Sequence, residues 1–382
     1  IQGADALLIL GKTALTVLGA ERGEEGLNRI RGFPFELLGK QAVATHHPAF
    51  ILRSRRHTET LQSDIGKAFR MREGKLRWTE PEMILDPSLS QLDGALERLS
   101  RSLVAVDTET GMGSPERVPL YCVGLGAKDF GICLGFKSKE TPPRPFRCPI
   151  PLARERLANF FSRAKLCGHN VNVFDRPVLA RHGMPLPAYE KVYDTVIAHH
   201  VVESEMPHDL DFLSSRYTDA PKHKPVDHEH WTDDMELHKY CITDCAVTAM
   251  LAPGFAQSLV DTGQIQVYRS DIRLQELCVG MHRVGMKIDE KERNRHRKRL
   301  QLVARKTEAK AIEVLGRTIN LASPEQVRAL LFDEWGLPWT EENETPSGEA
   351  STNRDAVYEL MRQALPQTAQ LFLQALLDYR QA

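Results

Sequence analysis

The sequence predicts a multidomain α/β chain: a mixed sheet with helices packed on it, a smaller α/β segment before it and a mostly helical region after it. Three observations lead there. At 382 residues the chain is longer than one compact core usually organises. Between roughly residues 84 and 255, β-type runs come first and helix-period apolar spacing follows, which argues a sheet with helices laid on it. Beyond about residue 265 the apolar residues fall almost entirely at helical spacing.

Taken in order, Ala6 to Leu10 is an apolar run of strand length, and Thr13 to Leu18 has helical character. A His-His-Pro loop follows at His46 to Pro48, and the charged stretch Met71 to Pro81 reads as a linker. Leu103–Val106, Tyr121–Leu125 and Phe130–Leu134 are strand-like, and Ala153–Phe161 repeats with the helical period. Ser323-Pro324-Glu325-Gln326 is a helix N-terminal signature, and Glu341 to Ser351 is a polar loop. The expected domains are therefore 1–75, 84–255 and 265–382.

Composition excludes several classes. An apolar fraction of 42% and a charged fraction of 26% are those of a globular protein. Lys+Arg 50 against Asp+Glu 51 leaves a net charge of -1, so any polyanion partner must be met by local charge. Seven cysteines with no Cys-x-x-Cys pair argue against a disulfide framework or a zinc site and for a reducing compartment. No apolar run approaches the ~20 residues of a membrane helix. The apolar start carries Asp5 and Lys12 without a basic leader, so a signal peptide is not expected. The expected location is a reducing cytoplasm. Oligomeric state is not legible. With Ile1 first and Ala382 just after a helical pattern, the chain reads as part of a longer one.

The chemistry lies in an ordered acidic set. Asp107 and Glu109 stand at i and i+2 in Val-Ala-Val-Asp-Thr-Glu-Thr, so on a strand they share a face while Val104 and Val106 take the other. Tyr240 and Asp244 stand at i and i+4 and share a helix face. Asp175 follows Phe174 just before Arg176-Pro177, which suits the first turn of a helix. Each pattern alone is ordinary: a surface turn, a packed tyrosine beside a solvated acid. Their order within one α/β block points to a single cleft. Magnesium prefers oxygen ligands, and two ions ~3.5–4 Å apart can clamp both oxygens of a phosphodiester displacement. Carboxylates gathered without a cation would repel at a cost of several kcal/mol.

On those motifs, together with Gly168-His169-Asn170, Tyr193-Asp194-Thr195 and His208-Asp209-Leu210-Asp211, residues 84–255 resemble the 3'-to-5' exonuclease domain of family A DNA polymerases. That domain is a DEDDy nuclease with an RNase-H-like fold. The resemblance implies two Mg2+ (or Mn2+), with Asp107 bridging them, Glu109 and Asp244 completing the shell of the first ion and Asp175 serving the second ion through water. It implies that Tyr240 orients the attacking water and that Thr108 and Asn170 meet the substrate, Asn170 also shaping the turn before Asp175. The expected function is a proofreading exonuclease module of a DNA polymerase I-like replicative or repair enzyme. The rivals are an RNase-D-like nuclease acting on RNA, since the metal site does not read the sugar, and a DNA-binding module with a silent exonuclease.

Lys291 to Lys306 holds eight Lys/Arg and one acid. Such runs are usually solvated helix faces; beside a nuclease, phosphate contact by Arg293, Arg297 and Lys298 is the expectation. Val284-Gly285-Met286-Lys287-Ile288-Asp289, Asn320 to Gln326, Leu331-Phe332, Gly336-Leu337-Pro338, Ser351-Thr352 and Leu377 to Arg380 resemble the start and thumb of the family A polymerase domain. The expected partner is therefore DNA, as a single-stranded 3' end and a primer-template duplex, with no membrane. Palm and fingers are not expected within these residues.

At the N-terminus, Gly11-Lys12-Thr13 loosely fits a P-loop, but bulky apolar residues replace the glycine-rich cradle, so strand-turn-helix packing is preferred. Leu10 to Ala14, Arg31-Gly32 and His47-Pro48-Ala49 resemble the C-terminal half of a family 4 uracil-DNA glycosylase, in which His47 would match the base-approaching histidine. Half a pocket cannot flip and cleave a base, so no glycosylase activity is expected. DNA contact by Arg53, Arg55 and Arg56 is.

Overall fold

The computed structural model describes residues 3–18, 26–53, 55–224, 231–339, 345 and 349–381, with the side chains of Arg53 and Arg56 outside that description. Most of the Glu341–Ser351 loop also lies outside the described residues. The chain divides into two compact units, Ile1–Val284 and Gly285–Ala382. The division falls at 284/285, whereas the sequence reading opens its last domain at 265; helix Ile265–Val284 stands with the first unit.

The first unit opens with β1 (Ala6–Leu10), α1 (Gly11–Leu18), α2 (Leu27–Ile30), β2 (Pro34–Leu37), β3 (Lys40–Thr45), α3 (Pro48–Arg53) and α4 (Thr58–Arg72). Its three strands run in the order β1-β3-β2, with β1 parallel and β2 antiparallel to β3. Helix α4 extends through Arg72, so the stretch expected as a linker begins inside a helix. A buried polar knot fastens this block to the rest of the unit. Arg31 forks onto Asp64 (2.7 and 3.0 Å), and Thr45 Oγ1 donates to the same carboxylate. Lys67, fully buried, donates 2.6 Å bonds to the carbonyls of Gly32, Ser215 and Thr218. A charge taken out of water is tolerable only with its donors so filled.

The central sheet comprises β4 (Glu82–Leu85), β5 (Leu103–Thr110), β6 (Leu120–Gly126), β7 (Phe130–Gly135), β8 (Lys165–Gly168) and β9 (Val192–Asp194), ordered β4-β7-β6-β5-β8-β9. It is mixed: β5-β6 and β6-β7 are antiparallel, while β4-β7, β5-β8 and β8-β9 are parallel. Helices cover both faces. Val104 and Val106 join the main core with Leu92 and Leu96 of α5 (Leu89–Leu99) and Leu157 and Phe160 of α6 (Ile150–Phe161). Ala105 faces the other way, onto Cys245, Ala249 and Ala252 of the long α10 (Asp234–Asp261). Between α6 and α10 lie α7 (Asp175–Arg181), α8 (Thr195–Val202) and α9 (Leu210–Tyr217). The period of two thus sends Asp107 and Glu109 to the α10 face.

Helix α10 lies unusually close to that face because β6 offers glycine there. A Cβ at Gly124 would stand 2.5 Å from Cys241 Sγ, closer than any real contact. Asp233 caps α10, its carboxylate accepting from the amides of Met235 and Glu236. Helix α11 (Ile265–Val284) then packs back by Tyr268, whose hydroxyl accepts from the Asp194 amide at 3.0 Å and whose ring meets Tyr193.

The second unit holds α12 (Glu290–Leu315), α13 (Pro324–Arg328), a π-helical turn (Ala329–Glu334), α14 (Arg354–Met361) and α15 (Gln367–Gln381). Its core gathers Ala311, Val327, Leu331, Val357, Phe372 and Leu376. Asp289 caps α12, and Ser323 accepts from the Gln326 amide at the start of α13. Among the described residues no helix is long and apolar enough to cross a membrane.

Candidate metal centre

Three elements bring the acidic set together. Asp107 and Glu109 lie opposite Gly124 and Cys122 in the β5-β6 register, on the face that α10 covers. Their carboxylate oxygens and Cys241 Sγ all lie within 4.8 Å of one another. Both acids keep partial access to solvent, whereas Asp175, at the first turn of α7, is buried. The link between β5 and α7 is direct: Thr108 Oγ1 donates to Asp175 Oδ1 at 2.6 Å. Thr108, expected to meet substrate, is itself buried with its hydroxyl committed to that bond.

Electrostatics show the crowding. Burial, then Cys241 and the carboxylates of Glu109, Asp175 and Asp244, push the Asp107 carboxyl well above its ordinary range. Burial, Cys241, Asp244 and Asp175 do the same to Glu109, with Lys224 opposing them. Burial lifts Asp175 to about 7 against the lowering bond from Thr108. Burial, then Asp244, Glu109 and Asp107, raise the Tyr240 phenol far above its usual value, so it remains a hydroxyl throughout the working range. Carboxylates that lift one another in this way are short of positive charge, the condition a hard divalent cation relieves. Asp107 and Glu109 offer hard oxygen donors to such an ion, with Asp175 and Asp244 near enough to act on them and the soft Cys241 sulfur within the same group.

Two further residues complete the cleft without a sequence signal. His223, in the short Pro221-Lys222-His223-Lys224 run after α9, places Nε2 2.6 Å from Asp244 Oδ1, both side chains being 13% exposed. Burial opposes its protonation, but the bond and charge of Asp244 outweigh it and hold the imidazole above its ordinary value. Tyr240 stands between two rings, His223 at 5.8 Å and Trp231 at 5.6 Å. Behind the site, buried Asp194 accepts from the amides of Asn170 (3.1 Å), Asn172 (3.4 Å) and Val196 (3.0 Å). Asn170 takes φ 60°, a left-handed turn that asparagine tolerates, and Gly168 clears the turn because a Cβ there would stand 2.4 Å from Val171 Cβ.

The other expected site residues lie elsewhere. Arg293, Arg297 and Lys298 are exposed on α12 of the second unit, with Arg293 paired to Glu290. His47 is exposed after β3, its Nδ1 accepting from the Ala49 amide at 3.1 Å, while the neighbouring His46 is buried against Phe50. Arg55 is exposed; the side chains of Arg53 and Arg56 are outside the described residues.

Among known proteins, the DNA polymerase I of Synechocystis sp. is 29% identical over 185 residues, covering 46% of this chain and 19% of the relative. That of Pseudomonas aeruginosa is 25% identical over 305 residues, 74% of this chain and 33% of the relative. The chain is weakly homologous to DNA polymerase I. That of Borreliella burgdorferi, 24% identical over 266 residues, covers 65% of this chain and 28% of its own length, so the chain spans a third or less of these relatives. No family model matches. Among solved structures, the POL domain of Pol1 from M. smegmatis, in complex with DNA primer-template and dNTP, aligns with TM-score 0.43 and 21% identity. That alignment covers 78% of this chain and 47% of the other. Brucella melitensis NrnC with bound Mg2+ aligns with TM-score 0.40 and 19% identity over 55% of this chain and 96% of its own.

Proposed function

We propose that residues 84–255 form a metal-dependent 3'-to-5' exonuclease module of a DNA polymerase I-like enzyme, trimming terminal nucleotides from single-stranded or frayed DNA ends. The observation that carries this reading is the meeting of Asp107, Glu109, Asp175, Asp244 and Tyr240 from three separate elements around one cleft. The four carboxylates would hold two Mg2+ (or Mn2+), which when bound supply Lewis acidity and a water of lowered pKa.

The chain's own groups divide the remaining work. Tyr240, kept as a phenol, can hold a water by hydrogen bond beside Glu109 and Asp244 without adding charge. Thr108 fixes the rotamer of Asp175. His223 holds Asp244, and when protonated it sets a positive charge at the rim of an acidic cleft. Asp194 locks the 168–172 turn from which α7 sets out. Asn170, exposed at that turn, is assigned to the terminal nucleotide, and Arg293, Arg297 and Lys298 to phosphate contact on the duplex, which salt would weaken steeply.

No nucleotide-adding step is assigned to these residues. Among the described residues the groupings of three or more metal-capable side chains all include Cys241, at this one cleft. Nor is base excision assigned to residues 1–75, where His47 stands exposed after β3 with its Nδ1 accepting from the Ala49 amide.

The test is nucleotide release from matched DNA and RNA oligomers, each with a free or a blocked 3' end, with Mg2+ or with chelator. Metal-dependent release from free DNA 3' ends supports the reading. Equal or preferred release from RNA favours an RNase-D-like enzyme, and no release from folded, DNA-binding protein favours a silent module.

A further inference from the structure

Beside the carboxylates lies a second constellation that the proposed reaction does not use. Cys122 of β6, Cys133 of β7 and Cys241 of α10 have their sulfurs within 4.8 Å of one another, and all three side chains are 0% exposed. We propose that they bind one thiophilic d10 cation of the Zn2+, Cd2+ or Cu+ class.

The strand register favours a shared ion over a disulfide. Cys122 stands opposite Gly135 and Cys133 opposite Gly124, so the two cysteines are diagonal neighbours on antiparallel strands. Diagonal neighbours lie ~7–8 Å apart, beyond the ~4.4–6.8 Å between Cα atoms that a disulfide needs. Three sulfurs each ~2.3 Å from one ion stand about 3.8–4.0 Å apart, inside the 4.8 Å within which the three sulfurs lie. The third sulfur arrives because Gly124 has no side chain: a Cβ there would stand 2.5 Å from Cys241 Sγ and 3.2 Å from Cys245 Sγ. Cys245, one helical turn beyond Cys241 and equally buried, brings a fourth sulfur to the same glycine.

The site differs in kind from its neighbour. Soft thiolates select d10 ions, whereas hard carboxylates select magnesium. Cys241 Sγ lies 3.4 Å from Asp107 Oδ2, so the two share a wall. Each ligating thiol gives its proton to solvent as the ion enters, and no oxidant or reductant is needed. Because Cys241 sits on α10 between Tyr240 and Asp244, the ion clamps to the sheet the helical turn that carries both.

The experiment is an anaerobic Cd2+ titration of the reduced 382-residue chain in Mg2+ buffer, followed by thiolate-to-metal absorption. One equivalent saturates the band, X-ray absorption counts at least three sulfurs around the ion, and Tm rises. Cys122→Ala and Cys133→Ala each weaken binding at least tenfold, while Cys278→Ala, at the one exposed cysteine, leaves it unchanged. Because the sulfur count is read on the wild-type chain, it does not depend on the variants folding. No absorption band, fewer than three sulfurs, or a signal that follows Cys278 overturns the proposal and leaves three thiols packed as small apolar groups.

Discussion

Thr108 Oγ1 donates a 2.6 Å hydrogen bond to Asp175 Oδ1, joining the strand that carries Asp107 and Glu109 to the helix that carries the next acid. With Asp175 raised to about 7, a proton competes with any cation for that carboxylate. Metal affinity therefore rises with pH through about 7, because the proton must leave before the ion can bind. Thr108→Val removes the bond that lowers this value, so the profile moves to higher pH and folding loses about 1 kcal/mol. Calorimetric Mn2+ titrations between about pH 6 and pH 8 measure the shift. A profile unmoved in Thr108→Val contradicts the assignment of Asp175.

The His223-Asp244 contact makes a prediction of opposite kind. The imidazole is held above its ordinary value, so below that value Asp244 is occupied by a charged partner, and above it the hold weakens. His223→Ala strengthens Mn2+ binding at low pH by up to about tenfold, ~1.4 kcal/mol, and the gain fades as the pH rises. A gain independent of pH would mean that His223 acts through shape alone.

Gly124 tests the close approach of α10. The methyl of Gly124→Ala would enter the space of Cys241 Sγ and press the helix off the sheet. Overpacking of this kind costs about 1–3 kcal/mol. Activity should fall although no acid is altered, with the loss carried in turnover more than in DNA binding. Denaturant unfolding and single-turnover kinetics separate the two, and wild-type turnover in this variant would show that the close approach does not set the cleft.

Some of this was legible in the sequence because local period decides it. The spacing i, i+2 on a strand puts Asp107 beside Glu109, and i, i+4 on a helix puts Tyr240 above Asp244. Strand β5 runs to Thr110, beyond the expected Val106, because the alternation Asp-Thr-Glu-Thr carries no apolar signal. The short β8 and β9 were not legible: four and three residues hold as strands because β8 pairs with β5 and β9 with β8. His223 reaches Asp244 by the path of a loop, and the thiols of Cys122, Cys133 and Cys241 meet through sheet register and a glycine, none of which linear spacing encodes. Helix α11 looks by composition like the start of the last domain, yet Tyr268 is hydrogen-bonded to the Asp194 amide, a tertiary contact.

Lys67 was equally silent in sequence, an ordinary lysine in an amphipathic helix. Its three bonds to the carbonyls of Gly32, Ser215 and Thr218 hold residues 1–75 to the central block. Lys67→Met keeps the stem and leaves three buried acceptors unpaired, a loss of about 3 kcal/mol. The protein should then unfold at lower denaturant, with the N-terminal block the first to lose hydrogen-exchange protection. A single unchanged transition would mean the knot contributes little.

The most direct test of the central claim is digestion of a 5'-labelled single-stranded DNA oligomer by wild type and Asp107→Ala, with Mg2+ and with chelator. The account predicts stepwise shortening from the 3' end that needs the metal and falls at least about a hundredfold in the folded variant. Shortening at the wild-type rate by Asp107→Ala would contradict it and place the chemistry outside this cleft.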